Sequence, residues 1–177
     1  MALSVGWGTN DAHQSLSLHQ ARNFWYQWFL STARGEEALR TDRRDFALML
    51  WRTWSPSWRV DEGAFHDAMH SFDNPDWVDV TVHSYRHRWG LAPSDMFYLK
   101  QEERLRRESV ISVPTLVLHG SEDACTTPQS SEHKEHLFSG PYHRVLLAGV
   151  GHFPQREHPG AVADALGAWL ERTPPAS

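Results

Sequence analysis

The chain has 177 residues, of which 40% are hydrophobic, and this length and composition suit one ordinary globular domain with a buried core. The formal net charge is -5, and the 17 Lys and Arg residues are spread along the chain, so no basic patch is available for nucleic acid. The apolar runs are far shorter than the roughly 20 residues that a membrane-spanning helix needs, and the single cysteine, Cys125, excludes an internal disulfide.

The N-terminal segment, residues 1–10, has neither a charged region nor a long apolar region, so it does not have the pattern of a secretory signal. Together with the single cysteine, this pattern predicts a cytoplasmic protein. Nine Trp and twelve His are high counts for this length. Most of them fall in the first half, which is therefore expected to be rich in aromatic contacts.

The first half is predicted to be one strand followed by helices. Residues 2–8 form a short apolar run that ends in glycines, which is typical of a buried strand. Apolar and aromatic residues then recur at helical spacing from 17 to 90, and breakers divide this stretch into four predicted helices. Their expected N-caps are, in order, Ser17, then Thr41 or Asp42, then Asp61, and then Asn74 with Pro75 at the first helical position.

The second half alternates between strand and helix patterns. A charged amphipathic helix is predicted over 96–107. After it come a strand over 113–119, a polar helix over 129–138, a second strand over 143–148 and a closing helix over 159–172. Both strands lack polar alternation, which indicates burial on both faces. The order predicts an α/β fold whose parallel sheet is built from βαβ units.

Two titratable residues follow the two long predicted strands. Asp123 follows the first strand and His152 follows the second. In a parallel sheet the carboxyl ends of neighbouring strands lie along one edge, where functional groups gather. A histidine base needs a carboxylate to fix its tautomer and to stabilise its charged form. The sequence therefore predicts that Asp123 and His152 are catalytic partners.

The residues around this pair resemble the C-terminal portion of the α/β-hydrolase family. The motifs are Val-Pro-Thr-Leu-Val-Leu-His-Gly-x-x-Asp-x-x-x-x-Pro and Gly-x-Gly-His-Phe-Pro-Gln-x-Glu-x-Pro. The resemblance implies that Asp123 is the family's acid and His152 its base, and that Pro128 and Pro159 begin the helices after the two loops. It also implies three regions: a core strand in 1–10, a helical cap in 11–95, and the C-terminal part of the hydrolase core, with strands six to eight, in 96–177.

Within the predicted cap, Phe-Trp-Tyr-Gln-Trp-Phe at 24–29 and His-Ser-Tyr-Arg at 83–86 resemble the tyrosine-bearing segments of epoxide hydrolases. In that family two phenols donate hydrogen bonds to the epoxide oxygen as the ring opens. The resemblance implies that Tyr26 and Tyr85 are these donors and that Trp25 helps to line an apolar substrate pocket. The alternative is that both tyrosines are ordinary aromatic residues of amphipathic helices.

The sequence lacks the family's nucleophile motif, a Gly-x-Ser-x-Gly turn or its Asp equivalent between a strand and a helix. Ser4 lies in a similar run, Ala-Leu-Ser-Val-Gly, but the run lacks both a preceding strand and a following helix. The chain is therefore expected to be a fragment that is inactive alone. A truncated gene model, a degenerate gene and completion by another chain all remain open. A sheet of strands six to eight alone is also expected to expose an unpaired edge.

The predicted function is hydrolysis of an epoxide or ester of a small apolar molecule, through an Asp or a Ser nucleophile respectively. A non-catalytic or degenerate hydrolase-like binding module is the alternative. A metal enzyme is a further alternative, because the chain has two pairs of histidines that are four residues apart, His66 with His70 and His83 with His87. No third ligand is apparent for either pair. No cofactor and no metal are implied, and a small-molecule substrate is the expected partner.

Overall fold

A computed structural model of the chain describes residues 1–7, 15–106 and 110–173. The described residues form two compact units. The first, called the core unit here, comprises the described residues within Met1–Thr9, Trp54–Trp58 and Leu105–Ser177. The second, called the helical unit, comprises those within Asn10–Thr53 and Arg59–Arg104. The predicted boundaries of the core strand, the cap and the C-terminal core stay a prediction.

The core unit is built on a three-stranded parallel sheet in the order β1-β2-β3. The strands are β1 (Ala2–Leu3), β2 (Thr115–Gly120) and β3 (Tyr142–Leu147). The central strand β2 has five consecutive buried residues, as expected for a parallel strand that is covered on both faces. The predicted parallel sheet is confirmed, although β1 is only two residues long and both longer strands begin and end within a few residues of their predicted bounds.

One face of this sheet packs on the closing helix, α8 (Pro159–Arg172). Leu116 and Leu118 of β2 are buried against Val162 of that helix. Leu3, Val145, Leu147, Ala165, Leu166 and Trp169 are partly buried around them. Burying apolar side chains of this size contributes roughly 1.5 to 3 kcal/mol each, so this cluster holds the strands in place beneath the loops at their carboxyl ends.

The helical unit contains α1 (Leu18–Asn23), α2 (Trp25–Leu30), most of α3 (Ala33–Trp54), α4 (Glu62–Met69) and α5 (Trp77–Arg88). Most of α6 (Leu99–Arg106) also belongs to it, and a 3₁₀ turn follows α4 at His70–Asp73. Two predicted caps are confirmed. The Ser17 side chain accepts the Gln20 N–H at 3.1 Å, and the Asp61 side chain accepts the N–H groups of Gly63 and Ala64.

The predicted helix boundary at Thr41 or Asp42 is confirmed. The range α3 consists of two helices that meet at a kink at Asp42, whose φ of -126° and ψ of 38° are not helical. Leu39 is buried before the kink, and Ala47 and Leu50 are buried after it, so both helices contribute to the packing of the helical unit.

The fourth predicted helix start, directly after Asn74, is wrong, because α5 begins at Trp77. The Asn74 side chain accepts the N–H of Asp76 at 3.0 Å. This bond closes a local turn in place of a helix cap, as Asn side chains often do.

The predicted polar helix over 129–138 is also wrong. The chain forms two 3₁₀ turns there, Pro128–Ser131 and Glu135–Leu137. Between them His133 has a positive φ of 56°, which no helix continues through. The carbonyl of Pro128 accepts a side-chain hydrogen bond from Arg144, so it is satisfied outside a helix. A short helix, α7 (Pro154–Glu157), precedes α8, and Pro128 and Pro159 each begin a helical turn.

No helix in the described part of the chain combines the length and apolar character needed to cross a membrane.

Candidate active site in the core unit

The structure brings Asp123 and His152 together. The carboxyl ends of β2 and β3 lie side by side, with Gly120 opposite Leu147 in the register, so the loops after them leave the sheet at one edge. The Nδ1 atom of His152 lies 2.9 Å from the Oδ2 atom of Asp123. An ionised carboxylate only accepts hydrogen bonds, so Nδ1 carries the proton and Nε2 is the nitrogen left for chemistry.

The two loops approach closely because Gly120 has no side chain. A Cβ atom at this position would lie 2.1 Å from the carbonyl oxygen of Gly151 and 2.2 Å from that of Val150. Such distances are impossible for a real side chain, so any other residue would push the loops apart. The glycine that ends β2 thus permits the contact between Asp123 and His152.

The carboxylate of Asp123 is fully buried and accepts hydrogen bonds at both oxygens. Its Oδ1 atom accepts the backbone N–H groups of Cys125 and Thr126, both at 2.8 Å. Its Oδ2 atom accepts from His152 and also lies 3.2 Å from Nε2 of His119. Burial alone would raise the pKa of Asp123, but the hydrogen bonds from His119, His152 and Thr126 outweigh it and lower the pKa to about 2.

The His152 side chain remains 21% exposed, in contrast to its buried partner. Burial alone would lower its pKa, but the hydrogen bonds to the side chains of Asp123 and Cys125 outweigh burial and raise the pKa to about 10. With this pKa the His152 ring is positively charged at neutral pH, its Nδ1 is held by the Asp123 carboxylate, and one side of the ring is still reachable from outside.

The backbone around His152 is held by two side chains that the sequence analysis missed, Ser55 and Glu157. The Glu157 carboxylate accepts the N–H of Gly151 at 2.6 Å and that of Phe153 at 2.8 Å. The buried Ser55 hydroxyl donates to Glu157 at 2.7 Å and accepts the His152 N–H at 2.9 Å. Three consecutive N–H groups are thus satisfied by one pair of side chains, which we call the Ser55–Glu157 pair.

Aromatic rings surround the exposed part of His152 within the core unit. The Trp54 ring meets the His152 ring edge to face with 5.3 Å between centroids. Phe153 lies 6.0 Å from Trp54 and 5.9 Å from Trp58. The loop after β2 is tied to the same segment, because the N–H of Ala124 donates to the carbonyl of Trp54 at 3.1 Å. The residues 54–58 therefore contribute both packing and hydrogen bonds to this site.

Ser4, the serine in the run that resembles a nucleophile motif, lies just after β1 with a positive φ of 49°. Its N–H donates to the carbonyl of Leu118, and its buried Oγ has no hydrogen-bond partner among the described residues. The described residues that follow it, 5–7, form no helix. Ser4 thus shares the backbone strain of a nucleophile turn but lacks the helix that such a turn leads into.

In the helical unit, the predicted donors Tyr26 and Tyr85 lie together. Their rings meet edge to face with 5.6 Å between centroids. The Tyr26 hydroxyl accepts a hydrogen bond from Nε2 of Gln27 at 3.0 Å, and Oε1 of Gln27 accepts from Arg88 at 3.3 Å. Trp25 is 38% exposed and packs near Phe46, with 6.2 Å between ring centroids. The two tyrosines therefore form one phenol pair on α2 and α5.

The histidine rings of the metal alternative pack on each other, edge to face for His66 and His70 and stacked for His83 and His87. The centroids of His66 and His70 are 5.4 Å apart, and those of His83 and His87 are 6.0 Å apart. His87 additionally lies 3.2 Å from the carboxylate of Glu102. Within 1–7, 15–106 and 110–173, no group of three or more His, Cys, Asp or Glu residues is placed to hold a metal ion.

Comparisons with known proteins agree with this geometry. No family model matches the chain. Over 56 residues, or 32% of the chain, it is 43% identical to epoxide hydrolase A of Mycobacterium tuberculosis, and the match covers 17% of that protein. A solved structure of a candidate epoxide hydrolase from Klebsiella pneumoniae superposes with a TM-score of 0.82 at 32% identity, over 89% of this chain and 52% of that one. The chain has a partial α/β-hydrolase fold.

A second solved structure supports the fold. It is described as one of the epoxide hydrolases of the α/β-hydrolase superfamily found in metagenomes from hot environments. It superposes with a TM-score of 0.62 at 19% identity, over 86% of this chain and 51% of that one. The predicted resemblance to α/β-hydrolases, and among them to epoxide hydrolases, is confirmed. The chain spans about half the length of the solved structures that it matches.

Proposed function

We propose that this chain carries the acid and the base of an epoxide hydrolase that acts on a small apolar molecule. The observation that supports this most is the 2.9 Å hydrogen bond between Nδ1 of His152 and the buried carboxylate of Asp123. In its deprotonated form, which a pKa of about 10 makes the minor form at neutral pH, a histidine held in this way presents Nε2 as a general base. The carboxylate stabilises the imidazolium that forms when Nε2 takes a proton.

In the proposed reaction, a carboxylate nucleophile opens the epoxide and forms an ester with the enzyme. His152 then takes a proton from water through Nε2, and the resulting hydroxide attacks the ester carbonyl. The ester bond to the departing oxygen then breaks, and the imidazolium returns its proton to that oxygen. The proton left on the regenerated carboxyl group passes to the oxygen that ring opening left negative, and the diol is released. Tyr26 and Tyr85 donate hydrogen bonds to the epoxide oxygen while the ring opens, and Trp25 contributes to the apolar pocket.

The nucleophile itself is proposed to lie outside this sequence, because the sequence contains no nucleophile motif. On this proposal the 177 residues alone do not turn over an epoxide.

The test begins with the codons upstream of Met1. If they encode a strand-to-helix turn with Asp, the continuous polypeptide is expected to hydrolyse styrene oxide, and His152→Gln is expected to reduce turnover at least about a hundredfold. A turn with Ser, together with hydrolysis of nitrophenyl esters and not epoxides, would replace this proposal by an esterase. His83→Gln in the helical unit is the matched control, and it should leave turnover unchanged.

A non-catalytic role is the second candidate, and the missing nucleophile motif is the observation in its favour. The unpartnered Ser4 hydroxyl has no following helix among the described residues to complete such a motif. This candidate predicts that the upstream codons encode no such turn. It also predicts that the chain still binds small apolar epoxides when His152 is replaced, which equilibrium binding measured by tryptophan fluorescence would reveal.

A further inference from the structure

The acid of the proposed site has a second histidine partner that the reaction does not use. His119 lies on β2, one residue before Gly120, and its side chain is completely buried. A completely buried histidine requires hydrogen-bond partners for both ring nitrogens, because an unpaired polar atom would cost about 1 to 3 kcal/mol. Each ring nitrogen of His119 has a partner. One nitrogen lies near Asp123, and the other is hydrogen-bonded to Ser131, which contacts Arg144.

The first nitrogen of His119 must be a donor. Nε2 lies 2.9 Å from the carbonyl oxygen of Thr126 and 3.2 Å from Oδ2 of Asp123. Both of these atoms accept hydrogen bonds and neither donates at neutral pH. Nε2 therefore carries a proton, which is shared between the loop carbonyl and the carboxylate.

The second nitrogen of His119 is hydrogen-bonded to Ser131, which Arg144 also contacts. Nδ1 lies 2.8 Å from the buried Ser131 hydroxyl. That oxygen accepts from Nε of Arg144 at 2.8 Å, and the carbonyl of Pro128 accepts from Nη2 of the same guanidinium at 2.8 Å. The Ser131 hydroxyl also lies 3.0 Å from the Pro128 carbonyl, so its oxygen joins the ring nitrogen, the carbonyl and the guanidinium in one buried cluster.

The carboxylate of Asp123 thus receives four donors, two at each oxygen. A carboxylate has about four acceptor sites, so Asp123 is saturated and has no reason to rotate. Two backbone donors hold Oδ1, whereas Oδ2 is shared by two imidazoles. The orientation of the oxygen that meets His152 therefore depends on His119.

We propose that His119, oriented by Ser131 and Arg144, is a positioning residue that fixes Oδ2 of Asp123 and takes a share of its charge away from His152. This inference rests on the proposed function, because it assigns His119 a role in presenting the acid to the base. His119 acts through Asp123 and contacts no substrate.

The test is nuclear magnetic resonance of the 177-residue chain with ¹⁵N-labelled histidine, which observes the Nδ1 proton of His152 directly. His119→Phe removes both ring nitrogens. It is expected to move this proton downfield and to raise the His152 pKa by about half a unit, a roughly threefold change in proton affinity. His119→Gln keeps a donor near Nε2 and is expected to restore the wild-type signal.

Leu116→Ala is the control, because it removes a buried side chain from the same strand without touching the acid. It should destabilise the chain but leave the His152 signal in place. If His119→Phe does not fold, Ser131→Ala replaces it, and a smaller shift in the same direction is expected. An unchanged signal in the folded His119 or Ser131 variant, or an equal shift in Leu116→Ala, would overturn the inference.

These outcomes are separate from the fate of the proposed function, since the measurement needs no substrate and no nucleophile. Absence of epoxide turnover by the continuous polypeptide would remove the function while leaving the effect of His119 on His152 intact. Epoxide turnover together with an unaffected His152 signal in the His119 variants would support the proposed function and remove the positioning role of His119.

Discussion

The core unit and the helical unit hold their polar side chains in different ways. In the core unit, the carboxylates of Asp123 and Glu157 are each surrounded by backbone N–H groups and by side chains that come from distant positions in the sequence. In the helical unit, the rings of Tyr26 and Tyr85 meet edge to face, the Tyr26 hydroxyl accepts a hydrogen bond from the neighbouring Gln27, and the Arg88 guanidinium lies over the Tyr85 ring.

The difference indicates which unit fixes the positions of its polar side chains more strictly. A buried carboxylate with several donors has one stable arrangement, because each lost donor costs free energy. Aromatic rings that meet edge to face contribute only about 0.5 to 1.5 kcal/mol beyond their burial and accept some displacement. We therefore expect substitutions in the core unit to change stability and protonation, and substitutions in the helical unit to change mainly turnover.

The largest expected effect is at Glu157. Glu157→Leu leaves the N–H groups of Gly151 and Phe153 and the Ser55 hydroxyl without their acceptor, so the free energy of unfolding should fall by about 3 kcal/mol. Glu157→Gln keeps one acceptor oxygen and should lose about half as much. Urea denaturation followed by circular dichroism measures both.

Glu135→Leu is the control for Glu157, because no backbone N–H among the described residues donates to the side chain of Glu135, which lies in a 3₁₀ turn of the same unit. It should change the free energy of unfolding by less than about 0.5 kcal/mol. Equal losses in the two Leu variants would show that the Ser55–Glu157 pair does not support the loop.

The next effect concerns the tyrosines of the helical unit. In the continuous polypeptide, Tyr26→Phe and Tyr85→Phe should each lower epoxide turnover at least about tenfold, because each removes one donor to the oxygen that develops charge. Stability should change little, since the rings and their packing are kept. Steady-state kinetics with styrene oxide measures the effect, and unchanged rates in both variants would remove the tyrosines from the proposed site.

A smaller effect is expected from pH. The pKa of His152 is raised from 6.5 to about 10, so its contribution to stability is fully present below pH 6.5 and is lost as the pH rises toward 10. The pKa of Asp123 is lowered from 3.8 to about 2, so its contribution is present above pH 3.8 and is lost as the pH falls toward 2.

The stability difference between the wild type and Asp123→Asn should therefore shrink by at least about 1 kcal/mol between pH 6 and pH 10. Denaturation at a series of pH values gives this difference directly. A difference that stays constant over this range would mean that the two residues are not coupled in the folded chain.

The acid, the base and the sheet beneath them could be predicted because each depends on a local signal. Two apolar runs without polar alternation indicated β2 and β3, and a titratable residue followed each run. The glycine motifs around Asp123 and His152 further distinguished these two residues from the other titratable residues of the chain. Strand position and residue chemistry together were enough to predict the contact between the two side chains.

The supporting residues could not be predicted in the same way. Ser55 is 97 positions away from His152 in the sequence, and its hydrogen bond to the loop depends on the folded chain alone. Glu157 and His119 could be noticed in the sequence, because both lie within the quoted motifs. Nothing in the local sequence reveals that Glu157 accepts backbone N–H groups or that His119 contacts Asp123. The helix start at Asn74 failed for a related reason, since a local turn closed by the Asn74 side chain outweighed its capping preference.

The central claim, that Asp123 and His152 form a working acid and base pair, is tested most directly by the ¹⁵N resonance titration of His152 in the chain and in Asp123→Asn. The account predicts that Nδ1 carries the proton and that the pKa lies well above 6.5 in the wild type. It also predicts that the pKa falls by more than about one unit in Asp123→Asn. An ordinary pKa that is the same in both proteins would contradict the account.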